Sequence, residues 1–190
     1  MPAEQISLRD GGALARLAEL ALASPPSAGA TRVLAIDGRS GACKSTLAET
    51  LSARMDVPCV SLEALYGGWD GLLAGIERLV ADVLEPLAGG RAAVVPRYDW
   101  LAERWLAPRT LQPPPLLIIE GVGAGALAVA PYVGVLAWLE LPEEIRWRRA
   151  MERDGSIYGG HWEMWRAQED EYLGADRTPE RAGVILAGEG

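Results

Sequence analysis

The sequence predicts an α/β fold, a parallel sheet of about five strands flanked by helices. Three observations carry that reading. Short runs rich in β-branched and aliphatic residues alternate with longer segments of helical spacing. Two of the runs, Leu116 to Ile119 and Val133 to Leu139, are apolar without interruption, as strands covered on both faces are. A third, Thr31 to Asp37, runs into a glycine-rich turn that opens directly into a helical pattern, giving strand, loop and helix in succession.

The elements follow in order. Leu8, Leu14, Leu17, Leu20 and Leu22 recur at mostly helical spacing among Arg9, Arg16 and Glu19 until Ser24-Pro25-Pro26-Ser27 stops the pattern. Residues 1–30 therefore read as a leading helix and linker, ahead of a main domain over 31–190. After the strand at Thr31 to Asp37, a helix is expected over Ser45 to Met55 and a second strand over Val57 to Ser61. A loop through Gly67-Gly68-Trp69 leads to a helix from Asp70 to Leu87, closed by Gly89-Gly90. Ala92 to Tyr98 reads as a strand or hairpin arm, and prolines interrupt the chain as far as Pro115. Helices are expected again at Glu143 to Arg153 and Trp162 to Leu173, with a last strand at Val184 to Leu186. The sequence has no internal repeat.

Composition excludes several classes. The chain has 190 residues, 49% hydrophobic and 23% charged, with a net charge of −8, so it supports one packed core and gives no broad positive field for nucleic acid. Two Cys and one His are too few for a disulfide framework or a zinc centre. Glu4 and Asp10 stand where an export signal needs positive charge, so a cytoplasmic setting is expected. Gly121 to Leu139 lacks charge over nearly a membrane-spanning length, but Gly121, Gly123, Gly125, Pro131 and Gly134 break it into shorter pieces, and no membrane partner is expected. The apolar segments leave room for a homodimer face without identifying one.

Gly38-Arg39-Ser40-Gly41-Ala42-Cys43-Lys44-Ser45, followed by Thr46, lies between a predicted strand and a predicted helix, the context a phosphate-binding loop requires. In such a loop backbone amides wrap the phosphates, the helix N-terminus adds positive potential, Lys44 neutralises the terminal phosphate and the Ser45 hydroxyl ligates Mg²⁺. One position departs from the pattern. The residue before the Lys is ordinarily Gly and here is Cys43, whose Cβ is expected to crowd the phosphate or tilt the amide and so lower nucleotide affinity. Cys43 reads either as drift or as a reactive thiol, since a helix N-terminus and Lys44 both favour thiolate. Cys59, within the run VPCV, reads as a core residue.

Together the segments VLAIDGRSGACKST, SLEALYGGWDGL, VVPRYDW and LLIIEGVGAG resemble, in type and order, the uridine kinase and phosphoribulokinase group of P-loop kinases, from about Val33 to Leu186. Within the group the chain looks most like the small uridine-kinase-like proteins that carry GWDGL and HWxxWxAQE segments, the latter here spanning His161 to Glu169. The resemblance implies a P-loop NTPase fold with a helical lid at about 143–165, ATP and Mg²⁺ as cofactors, and transfer to the hydroxyl of a small molecule, a nucleoside such as uridine or cytidine being the first expectation. It places a catalytic base at Glu63, where the group usually has Asp.

Glu120 ends the run LLII at the carboxyl edge of a strand, where doubly wound sheets place their ligand crevice, and it matches the group's acidic residue that serves Mg²⁺ or orients the attacking group. Arg146, Arg149 and Arg153 fall at i, i+3 and i+7, on one helical face, and match the group's lid. The competing reading is a solvated helix paired with Glu143, Glu144 and Glu152. By the same resemblance Tyr98 and Trp100 flank a base, Asp70 meets sugar or polyol hydroxyls, and His161-Trp162 lies just beyond the lid helix; packing explains the aromatics equally well. The rival functional reading is a nucleotide-binding pseudokinase, motivated by Cys43 and the substituted base.

Overall fold

The structure, a computed structural model, describes residues 3–7 and 12–188, except for the side chains at 153, 154 and 156–159. Its centre is a parallel sheet in the order β1-β10-β9-β2-β8-β3, formed by Glu4–Ser7 (β1), Val184–Ala187 (β10), Val135–Glu140 (β9), Arg32–Asp37 (β2), Leu116–Glu120 (β8) and Cys59–Ser61 (β3). Among the described residues the sheet has six strands. The sequence reading has no strand ahead of the leading helix, so β1 is the addition, and it joins the edge of the sheet by pairing with β10.

Period-two alternation decides the two faces. Val33 and Ala35 of β2 and Leu117 and Ile119 of β8 join one cluster, whereas Leu34, Ile36, Leu116 and Ile118 join the other. Every one of these side chains is buried, which is why the runs carry no polar alternation. Burial of each Val, Leu or Ile contributes roughly 2 kcal/mol. Helices α1 (Ala13–Ala23) and α2 (Lys44–Met55) cover the second face through Leu17, Ala21, Ala48 and Leu51.

The first face is covered by one helical run in three parts, α3 (Leu72–Arg78), a π-helical turn (Leu79–Leu84) and α4 (Glu85–Ala88). A single helix was expected over this stretch. Pro86 supplies the reason for the wide turn: it has no N–H to give and its ring crowds the carbonyl one turn back, so the ladder shifts by a residue before it. Leu72, Ile76, Leu79, Val83, Leu84 and Leu87 still face the core.

Beyond the sheet edge lie two small antiparallel pairs, β4 (Ala93–Val95) with β7 (Arg109–Leu111), and β5 (Tyr98–Asp99) with β6 (Arg104–Trp105). The two helices expected after β9 form one long element, α5 (Glu143–Asp176), interrupted at Gly155, whose φ of 59° and ψ of −140° are not helical. A short helix, α6 (Thr178–Arg181), leads into β10. The charge-free stretch from Gly121 resolves into turns and β9, and among the described residues no helix is long and apolar enough to cross a membrane.

Candidate active site

Sheet register assembles the site. Ser61 pairs with Glu120 and Ile36 with Glu120, so the ends of β3, β8 and β2 lie side by side at the carboxyl edge. The loop from β2 to α2 rises from that edge. Gly41 takes φ 80°, and a Cβ there would run into the carbonyl of Arg146, so only glycine lets α5 come this close. Cys43 takes φ 65° and ψ 30°, the left-handed region, at the N-terminus of α2. This is the conformation for which glycine is ordinarily used, and the Cys holds it at a cost of roughly 1–2 kcal/mol.

Lys44 Nζ donates to the carbonyl oxygen of Arg39 at 3.0 Å. Ser45 Oγ lies 3.2 Å from both carboxylate oxygens of Glu120. Glu120 is 3% exposed, and burial pushes its carboxyl above the ordinary range, against the hydrogen bonds from Ser61 and Ser45 and the charge of Lys44. A carboxylate so deprived of water has much to gain from a cation. The Ser45 hydroxyl and the Glu120 carboxylate are hard oxygen donors side by side, and they fit a Mg²⁺ that keeps most of its other ligands as water and phosphate.

A cavity of about 490 Å³ opens over this edge. Its walls bring together Ser40, Gly41, Cys43, Lys44, Ser45 and Thr46 of the loop with Glu63, Trp100, Glu120, Arg149 and His161. Glu63 stands exposed in the short 3₁₀ turn Leu62–Ala64 after β3, and its carbonyl accepts a hydrogen bond from Trp100 Nε1 at 2.9 Å. Trp69 forms the aromatic centre of this side, edge-on to Trp100 at 4.9 Å and stacked on His161 at 4.5 Å. Arg149 reaches over the loop, its Nη1 3.5 Å from Cys43 Sγ.

Other expected residues lie elsewhere. Arg146 does not line the cavity: it is 7% exposed and its guanidinium donates to the carbonyls of Leu141 and Ser40, with burial lowering its pKa. The Arg153 side chain lies outside the described residues. Asp70 is exposed and off the cavity wall, and Tyr98 stands behind Trp100, edge-on at 5.4 Å. Trp162 packs with Ala150 within α5. Of the loop, Gly38 donates its amide to Asp37 Oδ1, Ala42 is fully buried, and Arg39 pairs with the buried Glu169 and the exposed Asp170.

Sequence reasoning missed four residues. Asp37 is fully buried and accepts from the amides of Gly38, Gly123 and Gly125 and from the Tyr172 hydroxyl, tying β2 to the loop after β8 and to α5. Burial still pushes its carboxyl upward. Its signal was the one that marked Glu120, an acid ending an apolar strand. Trp165, Gln168 and Glu169 lie in the HWEMWRAQE segment, of which only the first two residues attracted a role.

No family model matches the sequence, and no curated protein matches it. Solved structures do. The chain superposes on that of a possible uridine kinase from Bacillus stearothermophilus with a TM-score of 0.67 and 23% identity, over 91% of this chain and 96% of that one. A candidate fructose transport system kinase from Silicibacter sp. TM1040 matches with a TM-score of 0.55 and 20% identity, over 93% of this chain and 98% of that one. At such identities the likeness is one of fold, the parallel P-loop sheet with helices on both faces.

Proposed function

We propose that this chain, which has the fold of the uridine-kinase-like P-loop kinases, is an ATP- and Mg²⁺-dependent phosphotransferase acting on the hydroxyl of a small molecule, a nucleoside being the first candidate. The observation that carries the reading is convergence: a loop lysine, a serine beside a buried carboxylate, and a free-standing glutamate share one cavity with an aromatic wall. Ser45 and Glu120 would hold Mg²⁺, which supplies charge neutralisation between phosphate oxygens when bound. Lys44 turns from the Arg39 carbonyl to the terminal phosphate, and the loop amides hold the others. Trp69 and Trp100 stack the acceptor, and the Glu63 carboxylate takes the hydroxyl proton as that oxygen forms its bond to phosphorus and the bond to the leaving diphosphate breaks. Arg149 steadies the transferring charge from the lid. Two free thiols and the predominance of acid over base suit the cytoplasmic setting proposed with it.

Acceptor-dependent ADP release from Mg-ATP, against a panel of nucleosides and small polyols, tests the reading. Transfer should fall by about two to four orders of magnitude in Lys44→Ala and Glu63→Ala. Undiminished transfer in either variant removes that residue's role. The strained Cys43 favours one rival, a nucleotide-binding protein without transfer. Thermal stabilisation by Mg-ATP, with no ADP release for any acceptor in the parent or in Cys43→Gly, would decide for that rival.

A further inference from the structure

Every polar group of Ser40, the third residue of the phosphate loop, is held by α5. Ahead of the Gly155 interruption, Arg146 Nη1 donates to the Ser40 carbonyl at 3.2 Å. Beyond it, Glu169 Oε1 accepts from the Ser40 amide at 2.8 Å, and Trp165 Nε1 donates to Ser40 Oγ at 2.8 Å. The indole N–H also lies 3.0 Å from Glu169 Oε1, so indole, carboxylate and serine form a closed triangle. Glu169 is 2% exposed and Trp165 5% exposed. A carboxylate buried to that degree needs compensation, and here the loop supplies it, through the Ser40 amide and the Arg39 guanidinium at 3.4 Å. The loop and the helix therefore satisfy each other.

The same half of α5 holds the acceptor wall. Gln168 Nε2 donates to the Trp69 carbonyl at 2.7 Å, its Oε1 lies 3.4 Å from the Leu72 amide, and His161 stacks on the Trp69 ring. One rigid stretch of helix thus touches both sides of the cavity within nine residues, His161 to Glu169.

We propose that Glu169 and Trp165 are positioning residues for the phosphate loop. They fix Ser40, and through it set the amides of Gly41 to Ser45 at the spacing the phosphates require, while Gln168 registers the acceptor wall to the same helix. Neither is a phosphate ligand in this proposal: the Trp165 N–H is held by Ser40 and Glu169, and the Glu169 carboxylate is buried. The proposal rests on the reading of this cavity as a nucleotide site, and it is tested by binding, so that it stands or falls separately from transfer.

The experiment titrates the full chain with Mg-ATP and with inorganic tripolyphosphate, which carries the phosphates without base or sugar, by isothermal calorimetry. The variants are Trp165→Phe, which keeps the ring and loses the N–H, Glu169→Ala, and Glu169→Gln, which keeps an oxygen for the Ser40 amide and loses the charge. Val184→Ala, on β10 away from the loop, serves as the destabilised control. Trp165→Phe and Glu169→Ala should weaken both ligands by about tenfold or more and by the same factor, because the misplaced part is the phosphate cradle. Glu169→Gln should recover part of the loss, and amide exchange at Ser40 should be protected in the parent and fast in Glu169→Ala. Val184→Ala should melt lower yet bind as the parent does.

Variants that bind both ligands within about twofold of the parent overturn the proposal, as does a loss that Val184→Ala matches. If Glu169→Ala does not fold, Trp165→Phe and Glu169→Gln decide. A parent that binds neither ligand overturns the nucleotide reading and this proposal with it. Binding that responds as expected, in a parent that transfers phosphate to no acceptor, upholds the proposal and sinks only the transferase.

Discussion

Replacing Cys43 with glycine should make the protein more stable, although it removes a side chain. Cys43 sits at φ 65° and ψ 30°, where an L residue loses roughly 1–2 kcal/mol to the clash of its Cβ with the following carbonyl and glycine loses none. Glycine gives back part of that gain through a freer unfolded chain, about 0.4–1 kcal/mol. The Sγ contact to Arg149 at 3.5 Å is exposed and adds little on either side. The net stabilisation is about 0.8 kcal/mol, which in a domain of this size raises Tm by about 2 °C. Cys43→Ala separates backbone from side chain, since it keeps the Cβ and loses only the thiol, and it should melt with the parent. Differential scanning calorimetry of the three proteins in reducing buffer is the assay. If Cys43→Gly melts at or below Cys43→Ala, the backbone at 43 is not strained and the reasoning fails. On the functional reading, relief of the same clash should tighten Mg-ATP in the glycine variant alone.

Three further outcomes are expected. Burial, with the charges of Glu120 and Glu49 adding to it, pushes the Cys59 thiol up to about 12, whereas Cys43 is exposed; iodoacetamide at about pH 8 should therefore modify Cys43 alone in the native protein and both thiols after unfolding, as mass spectrometry would read. Burial raises the Glu120 carboxyl above its ordinary 4.5, so the folded state holds that proton more tightly than the unfolded one, and the Glu120 contribution to stability falls as pH rises from 4.5 through the raised value. Urea midpoints should accordingly show Glu120→Gln gaining on the parent with rising pH, and a constant difference would refute this. Tyr172→Phe removes the hydroxyl that bridges Asp37 Oδ2 at 2.8 Å and Thr178 Oγ1 at 2.7 Å, and should cost about 1–2 kcal/mol in the same assay; a cost below about 0.3 kcal/mol would show that the hydroxyl is not needed there.

What was legible in the sequence is what local chemistry specifies. The strands β2, β8 and β9 announce themselves because both faces are covered, and the turn from β2 into α2 because its glycines interrupt the chain between an apolar run and a helical pattern. The strand β1 was illegible for the opposite reason: Glu-Gln-Ile-Ser is four residues at a sheet edge, and only β10, far away in sequence, makes it a strand. The arginine stripe shows the limit of periodicity. Spacing placed Arg146 and Arg149 near one another, but which way the helix faces depends on packing, and Arg146 turned inward to Ser40 while Arg149 stayed over the loop. Asp70 and Tyr98 were placed by resemblance alone, and here each sits just off the wall that Trp69 and Trp100 form. Glu169 was illegible because nothing in a carboxylate on a helix says that a backbone amide more than a hundred residues earlier will need it.

The pairing of β1 with β10 has a consequence for how the chain reaches this structure. β10 is inserted between β1 and β9, so Glu4–Ser7 has no neighbour among the described strands until Val184–Ala187 has been made. During synthesis the segment Glu4–Ser7 must wait, unpaired, while β2, β8, β3 and β9 can already assemble beside one another. Closure of that edge is thus a late event, since it waits for Val184–Ala187. Because β1 and β10 run parallel, the end of β10 at Ala187 and the start of β1 at Glu4 lie at opposite ends of the pair, so only a crossover connection of about a dozen residues or more, not a tight turn, could make this contact a local one.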